Sequence, residues 1–301
     1  MRLRLGARGS ALSLAQAKLV TESLSGKAEV EVVEVRTTGD RLSAAGSPIE
    51  WKGDFTRELD EALLDGRIDF AVHSLKDVPT EMPPGLLLAA VPPREDPHDV
   101  LITRSGKGLA SLAHGARVGT ASPRRKAQLL AARPDLEILE ARGNVDTRLA
   151  RLAEGRFDAI VLARAGLARL GRAGEVSEVL PERVLLPAVG QGALAIVARE
   201  QDAEIRSILA ALDHPPSHQA VTAERSLLST LEAGCKAPVA ALARAFDGEL
   251  RITAGVFSLD GRRALREESS GSSGEALAVG RSAAEKLLAR GAGDLMAEAD
   301  R

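Results

Sequence analysis

Short apolar strands alternate with helical segments along two separate stretches of this chain, and that alternation restricts the fold more than any other feature. Leu3–Ala7 alternates as a first strand, and Gly9-Ser10 opens a helix through Leu19 with Ser10 placed as its N-cap. Glu29–Arg36 has period two and one acidic face. Phe55–Leu64 carries apolar residues at helical spacing, and Asp69–Val72 and Gly85–Val91 read as buried strands. A charged, Pro-rich break follows at Pro92–Pro97. Beyond it Val100–Thr103, Arg117–Gly119, Leu136–Leu139 and Ala159–Leu162 are strands spaced by helical segments. This pattern predicts parallel-type sheets covered by helices. A second break, Leu185–Gly192, precedes a strand, Ala193–Ala198, placed to return to the first lobe. A helix from Ser217 to Leu231 then leads into a three-stranded meander, Pro238–Ala245, Glu249–Ser258 and Arg263–Ser269. Asp247-Gly248 and Asp260-Gly261 mark its turns. Gly274–Ala289 is the closing helix. No internal repeat is evident, and the only low-complexity tract is Ser269–Gly274.

Composition narrows the function. The 301 residues suffice for two or three domains. Aromatic residues make up 2%, with no Tyr, so the core rests on Leu, Val, Ile and Ala, and stacking platforms for nucleic acid are scarce. The net charge of −2 hides an asymmetry. His98–Gly192 holds 13 Arg and 2 Lys against 4 Asp and 6 Glu, a net of +5, which points to an anionic partner. Solvated helix faces account for part of that charge. A single cysteine, Cys235, precludes an intrachain disulfide. No apolar signal-like run begins the chain and no stretch of 18 apolar residues occurs, so a soluble, cytoplasmic protein without membrane contact is expected.

Chemistry concentrates at strand ends. Asp69–Val72 runs into His73-Ser74-Leu75-Lys76-Asp77-Val78-Pro79. Pro79 biases Val78 towards extended backbone, which puts Lys76 and Asp77 on a constrained turn where open α/β sheets bind ligands. Three strand-to-helix turns share a design: Arg8-Gly9-Ser10; Ser122-Pro123-Arg124-Arg125, with Ser122 at N-cap; and Arg142-Gly143-Asn144, with Arg148 a turn further on. Each joins free backbone N–H groups to guanidinium groups, a design suited to carboxylates or phosphates. The nonperiodic Gly/Ser-rich stretch 37–55 reads as a mobile functional loop. His214 and His218 are four apart, but Pro215-Pro216 lies between them, and no metal site is expected. Cys235 is either a small buried apolar residue or a thiol made reactive by Gly234 and Lys236.

Taken together, HSLKDVP, GTASPRR, RGNVDTRL, PAVGQGA, TAERSLL and GCKAP, in this order, resemble the hydroxymethylbilane synthase (porphobilinogen deaminase) family over essentially the whole chain. The resemblance implies an α/β fold of three domains. The first two (1–92 with 193–212, and 98–187) resemble the hinged lobes of periplasmic binding proteins. The third (215–301) is a small α+β domain with a three-stranded sheet, carrying its cysteine towards the cleft between the lobes.

The resemblance further implies that Cys235 bears a covalent dipyrromethane cofactor and that a monomer adds four porphobilinogen units to it, each losing ammonia. Asp77 matches the catalytic aspartate. Lys76, Ser122, Arg124, Arg125 and Arg148 match cofactor-holding positions. Arg8, Ser10, Gln16, Arg142, Arg169 and Gln191 match substrate-holding positions, and Lys52 and Phe55 match the mobile loop. That loop departs most from the family: Glu50-Trp51-Lys52-Gly53-Asp54-Phe55 stands where Gly-Gly-Lys-Gly-Leu-Phe is usual, and it is shorter. Ser-Ala-Leu-Ser follows Arg8-Gly9, and Pro123 stands at a usual Leu; neither change removes a charge. The competing reading is a non-catalytic two-lobed binding protein for a small organic anion, which leaves Asp77 and Gly234-Cys235 unexplained.

Overall fold

The computed structural model describes residues 1–40, 55–233 and 237–299. In chain order the elements are β1 (Arg2–Arg8), α1 (Ala11–Ser23), β2 (Glu29–Val35), α2 (Arg57–Leu64), β3 (Phe70–Ser74), β4 (Leu86–Ala90), β5 (Asp99–Thr103), β6 (Arg117–Gly119), α3 (Pro123–Ala132), β7 (Glu137–Leu139), α4 (Val145–Ala153), β8 (Ala159–Ala163), α5 (Arg164–Arg169), β9 (Glu178–Val179), β10 (Leu194–Arg199), α6 (Ala203–Leu209), α7 (Pro215–Thr230), β11 (Val239–Phe246), β12 (Glu249–Phe257), β13 (Ala264–Ser272), α8 (Ala276–Ala289) and α9 (Ala292–Ala299). They form two compact units, Met1–Glu95 with Gly192–His218, and Asp96–Gln191 with Gln219–Arg301.

The first unit holds a five-stranded sheet of order β2-β1-β3-β10-β4. β1 pairs in parallel with β2 and β3, whereas β10 runs antiparallel to β3 and β4. Period-two alternation sends Leu3, Leu5 and Ala7 of β1, with Phe70 and Val72 of β3, into one core. Ala17 and Val20 of α1 cover that face together with Ile205 and Leu209 of α6. Burying each large side chain of this kind contributes roughly 1.5–3 kcal/mol.

The second unit repeats the plan. Its sheet has the order β7-β6-β8-β5-β9, with β6 parallel to β7 and β8, and β5 antiparallel to β8 and β9. Both sheets are therefore mixed, not purely parallel. In each, the fourth strand arrives from the opposite direction because it follows a break in the β/α alternation.

The same unit carries the antiparallel sheet β11-β12-β13, close to the expected meander. Alternate residues of β11 face two cores. Val239, Ala241 and Ala243 pack towards α7 and α8, while Ala240 and Leu242 meet Ala127 of α3. The fold is thus α/β, with two sheet-bearing lobes and a small three-stranded sheet in the C-terminal part.

Pro215-Pro216 opens α7 instead of interrupting a helix, since first-turn N–H groups need no partner within the helix. His214 contacts the Ser217 hydroxyl at 2.8 Å and His218 contacts Asp213 at 2.8 Å. Among the described residues no three His, Cys, Asp or Glu are grouped as metal ligands, and no helix is long and apolar enough to cross a membrane.

Candidate active site

In the first unit the site is built at the C-terminal ends of β1 and β3. β3 ends at Ser74, and Leu75–Asp77 makes one 3₁₀ turn. Val78 is extended (φ −82°, ψ 131°), as Pro79 requires, so no longer helix forms. After β1 the chain turns at Gly9, where a β-carbon would collide with the Glu34 carboxylate. Ser10 then caps α1 by accepting from the Ser13 amide at 3.3 Å, and the Ser13 hydroxyl accepts from the Arg8 amide at 2.9 Å.

These turns bring Arg8, Ser10, Gln16, His73, Ser74 and Asp77 around one cavity of about 50 Å³, with Phe55 also in its wall. Gln16 donates to the Ser74 hydroxyl at 2.8 Å, tying α1 to the end of β3. Arg8 stacks over the Phe55 ring at 4.0 Å and donates to both oxygens of Asp40, the shortest bond being 2.5 Å. Burial raises the Asp40 carboxyl, but the bonds from Arg8 and Thr37 outweigh it and hold it below the usual range. Burial, aided by the Arg8 charge, pushes the His73 imidazole down to about 4, so it is neutral at physiological pH. Lys76 shares the 3₁₀ turn with Asp77.

In the second unit Ser122 caps α3, accepting from the Arg125 amide, and Pro123 occupies the first helical position. Arg124 and Arg125 converge on Asp99, the first residue of β5, which is wholly buried. Arg125 donates through Nε (2.9 Å) and Nη2 (2.7 Å) to Asp99 Oδ1 and through Nη1 (3.0 Å) to the Val161 carbonyl. Arg124 Nη1 lies 2.8 Å from Asp99 Oδ2 and donates to the Leu186 carbonyl at 2.5 Å. Gln191 adds a bond to Asp99 Oδ1 at 3.0 Å. Burial works to raise the Asp99 carboxyl. The charges of Arg124 and Arg125 override it and hold it at about 2.

Two guanidinium groups on one carboxylate leave this cluster one positive charge in excess. Arg125 has two of its five N–H groups uncommitted to these contacts. Donors with surplus positive charge suit an anionic group.

The third turn is also formed as expected. Gly143 has φ +102°, and a β-carbon there would meet Thr147 at 2.9 Å. Asn144 caps α4, accepting from the Thr147 amide at 2.9 Å. Arg148 donates to the Gly143 carbonyl at 2.8 Å, and Arg142 pairs with Glu140 at 2.5 Å. Arg169 ends α5. Lys52, Cys235 and the loop stretch 41–54 lie outside the described residues.

Asp40, His73 and Asp99 were not singled out from sequence. A single chain carries no local signal that Asp99 sits beneath Arg124 and Arg125.

The two units define an α/β protein with arginine-bearing, capped helix starts at its strand ends, one of them beside the Asp77 carboxylate on a 3₁₀ turn. Two family models match the chain. "Porphobilinogen deaminase, dipyromethane cofactor binding domain" covers residues 3–207 and "Porphobilinogen deaminase, C-terminal domain" covers 218–289. The porphobilinogen deaminase of Moorella thermoacetica is 49% identical over 98% of this chain and 96% of the relative, and that of Desulforudis audaxviator is 52% identical over 97% and 96%. Among solved structures, a VFT2 domain of Bordetella pertussis BvgS covers 70% of this chain and 86% of its own at 16% identity and a TM-score of 0.41. The chain belongs to the porphobilinogen deaminase family. It is a hydroxymethylbilane synthase, a transferase that builds a linear tetrapyrrole on a dipyrromethane cofactor.

Proposed function

We propose that Asp77 is the catalytic group of this synthase and that the arginine-bearing turns hold the carboxylates of cofactor, substrate and growing chain. The observation that carries this reading is the shared cavity: Arg8, Ser10, Gln16 and Asp77 come from separate elements yet line one small space.

Porphobilinogen brings two carboxylates and an aminomethyl group. As its C–N bond breaks, the electron pair leaves with nitrogen and positive charge develops on the methylene-pyrrole. The Asp77 carboxylate offsets that charge, and its Oδ accepts the proton lost when the next carbon–carbon bond has formed. Arg8, held by Asp40 and Phe55, and Ser10 orient the substrate with Arg142 and Arg169. Gln191 acts through Asp99.

Cys235 is the attachment residue, with Lys76, Ser122, Arg124, Arg125 and Arg148 on the cofactor's carboxylates. When bound, the dipyrromethane supplies the covalent primer for chain growth. The three-domain division (1–92 with 193–212, 98–187, 215–301) and work as a cytoplasmic monomer belong to the same reading. Intact mass tests it directly. Cys235→Ala is expected to fold and to show the bare sequence mass, while the unaltered protein carries two additional pyrrole units. A variant with normal porphobilinogen turnover contradicts the assignment.

A further inference from the structure

Of the sequence motifs singled out above, TAERSLL alone contributes no residue to the roles assigned so far. It lies on α7, where Ala220, Ala223, Leu227 and Leu231 recur at helical spacing and pack into one core with β11 and β12. Glu224 stands among them and is wholly buried. A buried carboxyl group is costly unless hydrogen bonds replace its water. Here both oxygens are used, and on different elements. Oε2 accepts from the Gly190 amide at 2.6 Å, and Oε1 accepts from the Ala243 amide at 2.8 Å.

Both partners lead somewhere. Gly190, at φ +72°, belongs to a turn closed by the Gln191 amide donating to the Ala188 carbonyl at 3.0 Å. The side chain of Gln191 then donates to the Pro97 carbonyl at 2.7 Å and to Asp99 Oδ1 at 3.0 Å. Asp99 is the carboxylate that Arg124 and Arg125 share. Ala243 belongs to β11, the strand that follows Cys235 in the chain, and β11 pairs with β12 along one edge only. On its other edge the Ala241 amide donates to the Pro187 carbonyl at 3.1 Å, and two residues on the Ala243 amide meets Glu224. Loop and carboxyl group together cover an edge that would otherwise lack a neighbouring strand.

We infer that Glu224 is a positioning residue of the synthase. Its one carboxyl group fastens the Gln191 turn to β11, and so sets the Arg124–Arg125–Asp99 cluster against the strand that follows Cys235. Being wholly buried, it acts through Gln191 and Asp99. The inference rests on the reading that Arg124 and Arg125 hold the cofactor's carboxylates. Glu224→Gln keeps the reach of the side chain and one acceptor oxygen, but its NH₂ group meets a backbone N–H, so one of the two bonds is lost. The Gln191 turn is then no longer fixed from both sides.

The test is steady-state porphobilinogen turnover by Glu224→Gln, Gln191→Met and the double variant. Rates are counted per cofactor-loaded molecule, with loading read from intact mass and folding from the urea midpoint. Gln191→Met keeps the size of that side chain but cannot donate. Each single variant is expected to lose about tenfold or more in kcat, the consequence of a cofactor displaced by a fraction of an ångström. KM for porphobilinogen should change by less than about twofold, because Arg8 and Ser10, which orient the incoming substrate, sit on other elements. The double variant should lose no more than the worse single, since both changes break one path. A parental kcat in loaded Glu224→Gln, whatever its urea midpoint, overturns the proposal, and so do losses that multiply in the double variant. A parental kcat in Gln191→Met overturns it however the Glu224 variants fold. Full cofactor loading and parental kcat in both Arg124→Leu and Arg125→Leu instead remove the reading beneath it.

Discussion

Arg124 and Arg125 show how a residue's neighbours alter what it offers. In sequence they are two cations at a helix start. In the structure they are buried and share Asp99. Their placement was legible because Ser122 and Pro123 are local capping signals. Asp99 was not, because its contact spans distant chain segments and leaves no periodic trace. Breaking a buried ion cluster by removing one partner costs about 3–5 kcal/mol. Asp99→Asn is therefore expected to lower unfolding free energy by roughly that amount, read as a lower urea midpoint, and to weaken cofactor retention. A midpoint unchanged from the parent contradicts the cluster's structural role. Arg8 and Asp40 follow the same logic at lower burial, and their pairing explains why Arg8 is held over Phe55 instead of extending into solvent.

Elements that close on themselves were readable, and those made by tertiary pairing were not. The caps Ser10, Ser122 and Asn144 lie where their sequence signals placed them. By contrast β9 is two residues long and exists only because it pairs with β5. α9 follows the expected closing helix across Gly291, at φ +90°, and was not expected from the sequence. The α4 cap gives a measurable case. Asn144→Ala removes the acceptor for the Thr147 amide and hydroxyl and should cost about 1 kcal/mol of stability. Asn144→Gly should cost only a few tenths. An Asn144→Ala protein as stable as the parent, by urea titration, would mean that the cap does not stabilise α4.

At the scale of the whole molecule, two sheets with the same strand order arise from segments with no detectable sequence repeat. A continuous apolar run reads alike in either direction, which is why the antiparallel fourth strand of each sheet was not foreseen. Stability should depend on pH through groups buried in this architecture. Between about 6.5 and 4 the unfolded chain binds a proton at His73 that the folded chain refuses, so stability falls on acidification across that window. Asp60, which burial pushes up to about 6, acts in the opposite sense below that value, since its folded form takes the proton first. Asp99 adds stability above its ordinary carboxyl value that is lost only as pH falls towards 2. The melting temperature of the unaltered protein should therefore drop relative to that of His73→Asn between pH 7 and pH 5. A constant difference between the two contradicts the buried neutral imidazole.

The central claim is that one carboxylate on the turn after β3 does the chemistry, and its charge can be separated from its shape. Asp77→Asn keeps the size and hydrogen bonding of the side chain but cannot offset the methylene-pyrrole cation or take its proton. Asp77→Glu keeps the charge and moves it by one methylene. The decisive measurement is single-turnover ammonia release from porphobilinogen by cofactor-loaded enzyme carrying each substitution. Asp77→Asn should be slower than the unaltered enzyme by roughly 10²–10⁴, with Asp77→Glu retaining more activity. An Asn variant as fast as the parent, or clearly faster than Glu, would make Asp77 a structural residue and contradict the account.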